Sequence, residues 1–113
     1  MNVFVCYTMR DSYINEKLLL DIQEGLASSY HLFIDAINND SDDKQERVIR
    51  ELMVADVIIV INSESIEKSS WAQYEISLAK THDKKIIMID FCTDTNIFEF
   101  VESIKNKLLD NKL

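Results

Sequence analysis

A chain of 113 residues with 47 % apolar and 28 % charged side chains has the make-up of one ordered domain, spanning 1–113 and long enough for a proper core, and not of a disordered segment. Its net charge of −8, from 12 basic and 20 acidic side chains, argues against nucleic acid and anionic membrane surfaces as partners, because phosphate binding needs concentrated Lys and Arg. No apolar run approaches the ~20 residues that a membrane-spanning helix needs.

In chain order, Val3-Phe4-Val5-Cys6 is a short apolar run of strand formers at a start that lacks the basic region of a signal peptide. A loop, Thr8 to Ser12, comes next, in which Asp11 or Ser12 can cap the following element. Apolar residues then recur at Ile14, Leu18, Ile22 and Leu26, with Leu19 widening the stripe, which predicts an amphipathic helix of about 15 residues. His31-Leu32-Phe33-Ile34 predicts a second strand, and Asp35 to Asp43 a polar loop. Asp43 and Glu46 have capping-box spacing for a helix that turns Val48, Ile49, Leu52 and Met53 inward. Val57 to Ile61 is apolar at every position, the habit of a strand covered on both faces of a parallel sheet. A polar connection through Ser65 leads to a helix over 70–81, and Lys85 to Ile89 predicts a fourth buried strand. After a loop through Cys92, the last helix carries Phe98, Val101, Ile104, Leu108 and Leu109, although Ile97 to Phe100 reads equally as a short edge strand.

Strand and helix alternate throughout, so the predicted class is α/β: a flavodoxin-like three-layer fold with a parallel sheet of four to five strands in the order 2-1-3-4(-5). Ligands bind such sheets at the switch point, outside the carboxyl ends of the strands where the winding reverses. The loops after the first and third strands border that point. The second of them leads into Ser69-Ser70-Trp71-Ala72-Gln73-Tyr74-Glu75-Ile76. Trp71 and Glu75 are four apart, hence on one helical face and ~6 Å apart along the axis at 1.5 Å per residue. An aromatic plane beside a carboxylate can stack a ring and stabilise a nearby positive charge. The bland alternatives are a packing tryptophan and a solvated acid.

Other chemistries find less support. Cys6 and Cys92 form no CxxC and no metal-ligand spacing; both are expected as small buried thiols in a reducing, cytoplasmic compartment. His31 and His82 fall at the far edge of the sheet from Cys6, which disfavours a Cys–His nucleophile. A single glycine excludes a Gly-rich phosphate loop. Lys44 and Gln45 interrupt the acids that would otherwise echo a calcium loop, and no metal site is expected. The topology suits a phosphate-accepting receiver domain, but Cys6-Tyr7-Thr8 stands where that chemistry needs clustered acids.

Four segments in order resemble the TIR (Toll/interleukin-1 receptor) domain family of bacterial type: Val3 to Asp11, Phe33-Ile34-Asp35, Asp56 to Ser65, and Ser70 to Ile76 with its serine, tryptophan and glutamate. The loop 35–43 departs from the family in carrying Asn-Asn-Asp where glycine is common. The resemblance implies cleavage of NAD+, as substrate rather than cofactor, at the nicotinamide–ribose bond, by a cytoplasmic signalling or antiviral defence enzyme acting on self-association or with a partner protein. It implies Glu75 as the catalytic residue, with Trp71, Tyr7, Thr8, Phe33, Asp35 and Ser65 around the substrate. A helix start close to Glu75 is expected to keep that carboxylate ionised. The alternatives are a non-catalytic TIR-type docking module and, from another class, a nucleoside deoxyribosyltransferase-like enzyme with Glu75 as nucleophile.

Overall fold

The computed structural model describes residues 1–110. Four strands, β1 (Asn2–Cys6), β2 (His31–Phe33), β3 (Val57–Asn62) and β4 (Lys85–Asp90), form one sheet in the order β2-β1-β3-β4 with every pair parallel. The register sets Phe4 opposite both Phe33 and Ile58. Side chains alternate across a strand, so β1 and β3 feed two cores. Val3, Val5, Ile59 and Ile61 pack against α1 (Glu16–Leu26) and α5 (Ile97–Asp110). Phe4, Cys6, Ile58 and Val60 pack against α3 (Lys44–Val54) and α4 (Ser70–Thr81). The result is the expected three-layer, flavodoxin-like arrangement.

Helix starts obey local hydrogen-bond chemistry. Asp43 accepts from the Glu46 N–H at 3.0 Å and Ser69 from the Ala72 N–H at 3.2 Å, each satisfying a donor that the first turn leaves free. The cap of α1 is Asn15, which accepts from the Leu18 N–H at 3.0 Å, and neither Asp11 nor Ser12 takes that part. The helix is accordingly 11 residues, shorter than expected. Asp83 holds the left-handed φ of 55° that ends α4, and Lys84 Nζ donates to the carbonyls of Met53 and Ala55 at the end of α3. Gly25 is required by a close approach: a Cβ there would stand 2.5 Å from Val101 Cγ1 on α5.

One open alternative is decided and four further expectations are corrected. Residues 97–110 are helical throughout, so among the described residues there is no fifth strand. The buried set Phe100, Val101, Ile104 and Leu108 has a helical period, which leaves Phe98 and Leu109 outside. As the sheet edge, β4 is only half buried: Ile87 and Ile89 face inward, whereas Lys85, Met88 and Asp90 are exposed. Residues 35–38 form a four-residue helix, α2, and no residue of the 35–43 segment takes a positive φ, so nothing there calls for glycine. Cys6 is buried as expected, but Cys92 is exposed. Among the described residues no helix is long and apolar enough to cross a membrane.

Candidate functional site

A hollow of about 290 Å³ opens beyond the carboxyl ends of β1 and β2 and against the start of α4, beside the point between β1 and β3 where the winding reverses. Three elements supply its walls. Val5, Tyr7, Thr8 and Met9 come from β1 and the loop beyond it, Asp35 and Ala36 from the start of α2, and Ser69, Trp71 and Glu75 from the start and second turn of α4. Of the residues singled out from sequence, Tyr7, Thr8, Asp35, Trp71 and Glu75 therefore meet. A larger hollow of about 400 Å³ lies at the ends of β3 and β4, lined by Tyr13, Asn62, Phe91 and Cys92 among others, and contains none of them.

Glu75 is the buried acid of the hollow. It is 5 % exposed, and burial raises its carboxyl to about 7; the negative charge of Asp35 adds to the rise, while the Cys6 thiol and the Trp71 indole partly offset it. This overturns the expectation that the helix start keeps Glu75 ionised. Glu75 is the sixth residue of α4, past the first turn in which the dipole acts, so desolvation decides. Near neutral pH the group is divided between its acid and its anion.

The neighbours are engaged in ways that fix their roles. Tyr7 accepts a hydrogen bond from the Ala36 N–H at 2.9 Å, and burial pushes its hydroxyl up to about 12, so it stays protonated and keeps its own proton to give. Asp35 accepts from Asn39 Nδ2 at 2.6 Å, which orients it at the head of α2. Thr8 is buried and accepts from the Arg10 N–H at 3.3 Å. Trp71 is half-buried and stacked on Tyr74, with centroids 5.3 Å apart and planes 24° from parallel.

Phe33 and Ser65 lie outside this hollow. Phe33 is a core residue, 3 % exposed, stacked on Phe4 at 5.6 Å and covered by the Arg47 guanidinium at 5.5 Å. Ser65 gives its hydroxyl and its N–H to Asp11. Sequence reasoning missed Met9, Ala36 and Ser69, and above all Cys6, a fully buried thiol that burial and then Glu75 hold above its ordinary value and that sits 3.7 Å from the Ala72 carbonyl. The period-two pattern of β1 carried that signal, since Phe4 and Cys6 share the face turned to α4. Among the described residues no cluster of three His, Cys, Asp or Glu is disposed to hold a metal ion.

A four-stranded parallel sheet in the order 2-1-3-4, with a buried glutamate one helical turn beyond a tryptophan at its switch point, defines a domain of the TIR class. Residues 4–96 match the family model described as Thoeris protein ThsB, TIR-like domain, and the chain belongs to that family. Membership places it among the defence and signalling modules of the Thoeris type. No curated protein matches the chain.

Proposed function

We propose that the chain cleaves NAD+ between nicotinamide and ribose, with Glu75 as the catalytic carboxylate. The observation that carries this reading is a buried acid, poised near neutrality, in a hollow walled by Trp71 and Tyr7 at the switch point. In the reaction the bond from ribose C1′ to the pyridinium nitrogen breaks, and its electron pair leaves with neutral nicotinamide. The ribose is left with oxocarbenium character, which an adjacent carboxylate stabilises. Water, or a nucleophile within the product itself, then closes on C1′ and surrenders a proton to Glu75. The cationic ring of the substrate draws Glu75 into its charged form on binding, because an opposite charge nearby favours the anion. A hollow of about 290 Å³ suits a ring and a sugar rather than a whole dinucleotide, so the adenylate half lies on the open side. Self-association or a protein partner, and a cytoplasmic location, complete this reading.

Incubation of the purified chain and its Glu75→Gln form with NAD+ at high protein concentration tests it. Nicotinamide release by the wild type that falls about 10²–10³-fold in the variant is the expected result, the range for losing one preorganised electrostatic group. Silence from both would leave a docking module. Release of free base from a deoxynucleoside with NAD+ untouched would point to a transferase.

A further inference from the structure

Asp11 lies in the loop after β1, outside the lining of the hollow, yet it is 8 % exposed and both of its carboxylate oxygens are committed. Oδ2 accepts from the Ser65 N–H at 2.8 Å and Oδ1 from the Ser65 hydroxyl at 2.7 Å. Charge-assisted bonds of this length are the strong ones, and the pair spans 54 residues of sequence. Beside it, the Tyr13 hydroxyl accepts from the Glu64 N–H at 3.1 Å. Two consecutive residues after β3 are thus held by two residues of the loop after β1.

The chain runs from Ser65 directly into the wall of the hollow. The 3₁₀ turn Ile66–Lys68 buries Ile66, and Gln73 Nε2 reaches back to the Ile66 carbonyl at 3.1 Å, which ties the first turns of α4 to that turn. Ser69, the cap of α4, Trp71 and Glu75 all enter the hollow from this one connection. A continuous run of bonds therefore leads from Asp11 to the wall that carries Glu75, with no freely hinged step between.

We propose that Asp11 is a positioning residue: by holding Ser65 with both carboxylate oxygens it sets the entry of α4, and so the placement of Trp71 and Glu75 in the hollow. Only a two-acceptor side chain meets both donors of Ser65 directly. Asparagine preserves the geometry by accepting the N–H while its amide donates to the hydroxyl, whereas alanine loses both ties. The catalytic arm of the test rests on the NAD+ reading above; the spectroscopic arm does not.

Trp71 is the only tryptophan, so emission from the unlabelled protein reports on this wall. The groups facing Glu75 are Cys6, Tyr7 and Asp35, and neither thiol nor phenol titrates near neutrality. A transition in Trp71 emission near pH 7 that Glu75→Gln abolishes therefore reads Glu75. Asp11→Ala is expected to shift the emission maximum to the red and to lower the midpoint by about one pH unit, as water reaches the carboxyl. Asp11→Asn is expected to restore both. Ser65→Ala, which keeps the N–H bond, should move them less and in the same direction, and it decides the matter if Asp11→Ala does not fold. Where the wild type releases nicotinamide, Asp11→Ala should lower kcat about 10- to 100-fold with KM within about threefold, the signature of a misplaced group. A folded Asp11→Ala, or failing that Ser65→Ala, with unchanged emission and midpoint overturns the proposal. No nicotinamide release from the wild type defeats the enzymatic reading alone.

Discussion

Glu75 and Asp11 are both buried carboxylates near the carboxyl end of one sheet, and their surroundings drive them in opposite directions. Asp11 spends its oxygens on the hydroxyl and N–H of Ser65, and that donation, chiefly from the hydroxyl, holds its carboxyl below the usual range with help from Ser63 and Lys68. Burial without matching donation carries Glu75 up to about 7, with Asp35 reinforcing the rise. The difference teaches how to tell a fastening from a reagent. A buried acid with its lone pairs filled is part of the frame, and one left short of donors beside a hollow is available for chemistry.

The widest separation between the two should appear in a pH–rate profile. Under the proposed chemistry the ionised form of Glu75 is the active one, so the rate rises with pH and levels off above about 7. Each pH unit below that midpoint removes about tenfold, giving a rate at pH 5 about a hundredfold below the plateau. Asp11, already charged throughout this window, contributes nothing to the slope. Nicotinamide release at NAD+ well below KM, where the rate follows kcat/KM and so the ionisation of the unliganded protein, measures it between pH 5 and 8.5. A flat profile, or one that falls with rising pH, would mean that Glu75 does not act as a carboxylate.

Stability sharpens the same contrast next. Glu75 has a folded value near 7 against an ordinary 4.5, so the folded state holds its proton more tightly than the unfolded one. A raised carboxyl of this kind favours folding at low pH and costs stability as pH climbs from about 4.5 to 7, by about 3 kcal/mol in total. Asp11 is the opposite case: its stabilisation is present above the ordinary carboxylate value and is lost as pH falls through its depressed one. Glu75→Gln should therefore gain up to about 3 kcal/mol over the wild type at pH 8 relative to their difference at pH 4.5. Urea unfolding of both proteins at the two pH values checks this. A difference that does not change with pH would show that Glu75 is not shifted.

The fold was largely legible, because it rests on local signals: the apolar run of β3, the four-residue spacing of α1, and the cap Asp43. Strand order came from alternation and topology. That Trp71 and Glu75 would line one hollow was legible from helical spacing, and that Tyr7, Thr8 and Asp35 would join them from the family resemblance. The site was not legible where register decides. Phe33 ends β2 near the hollow, but pairing with Phe4 turns its ring into the α3–α4 layer under Arg47. Ser65 was illegible for another reason, since its partner Asp11 stands 54 residues earlier and only the folded chain brings the two together. The charge state of Glu75 depends on how much of α4 is covered, a tertiary quantity that its place in the helix does not reveal.

The smallest effect belongs to the second tie of the fastening, and its smallness is informative. Tyr13→Phe removes the hydroxyl that accepts from the Glu64 N–H and keeps the ring stacked on Phe91 at 5.9 Å. A lost hydrogen bond costs most when it strands a buried donor. Here Glu64 is exposed, so water takes over its N–H, and the expected loss is at the low end of the usual range, about 0.5 kcal/mol in urea unfolding. Trp71 emission and its midpoint near pH 7 should stay where they are, because Asp11 still holds Ser65 with both oxygens. If Tyr13→Phe instead moves the midpoint as far as Ser65→Ala does, the loop is held by residues 11 and 13 together, and control over the site belongs to the whole loop after β1 and not to one carboxylate within it.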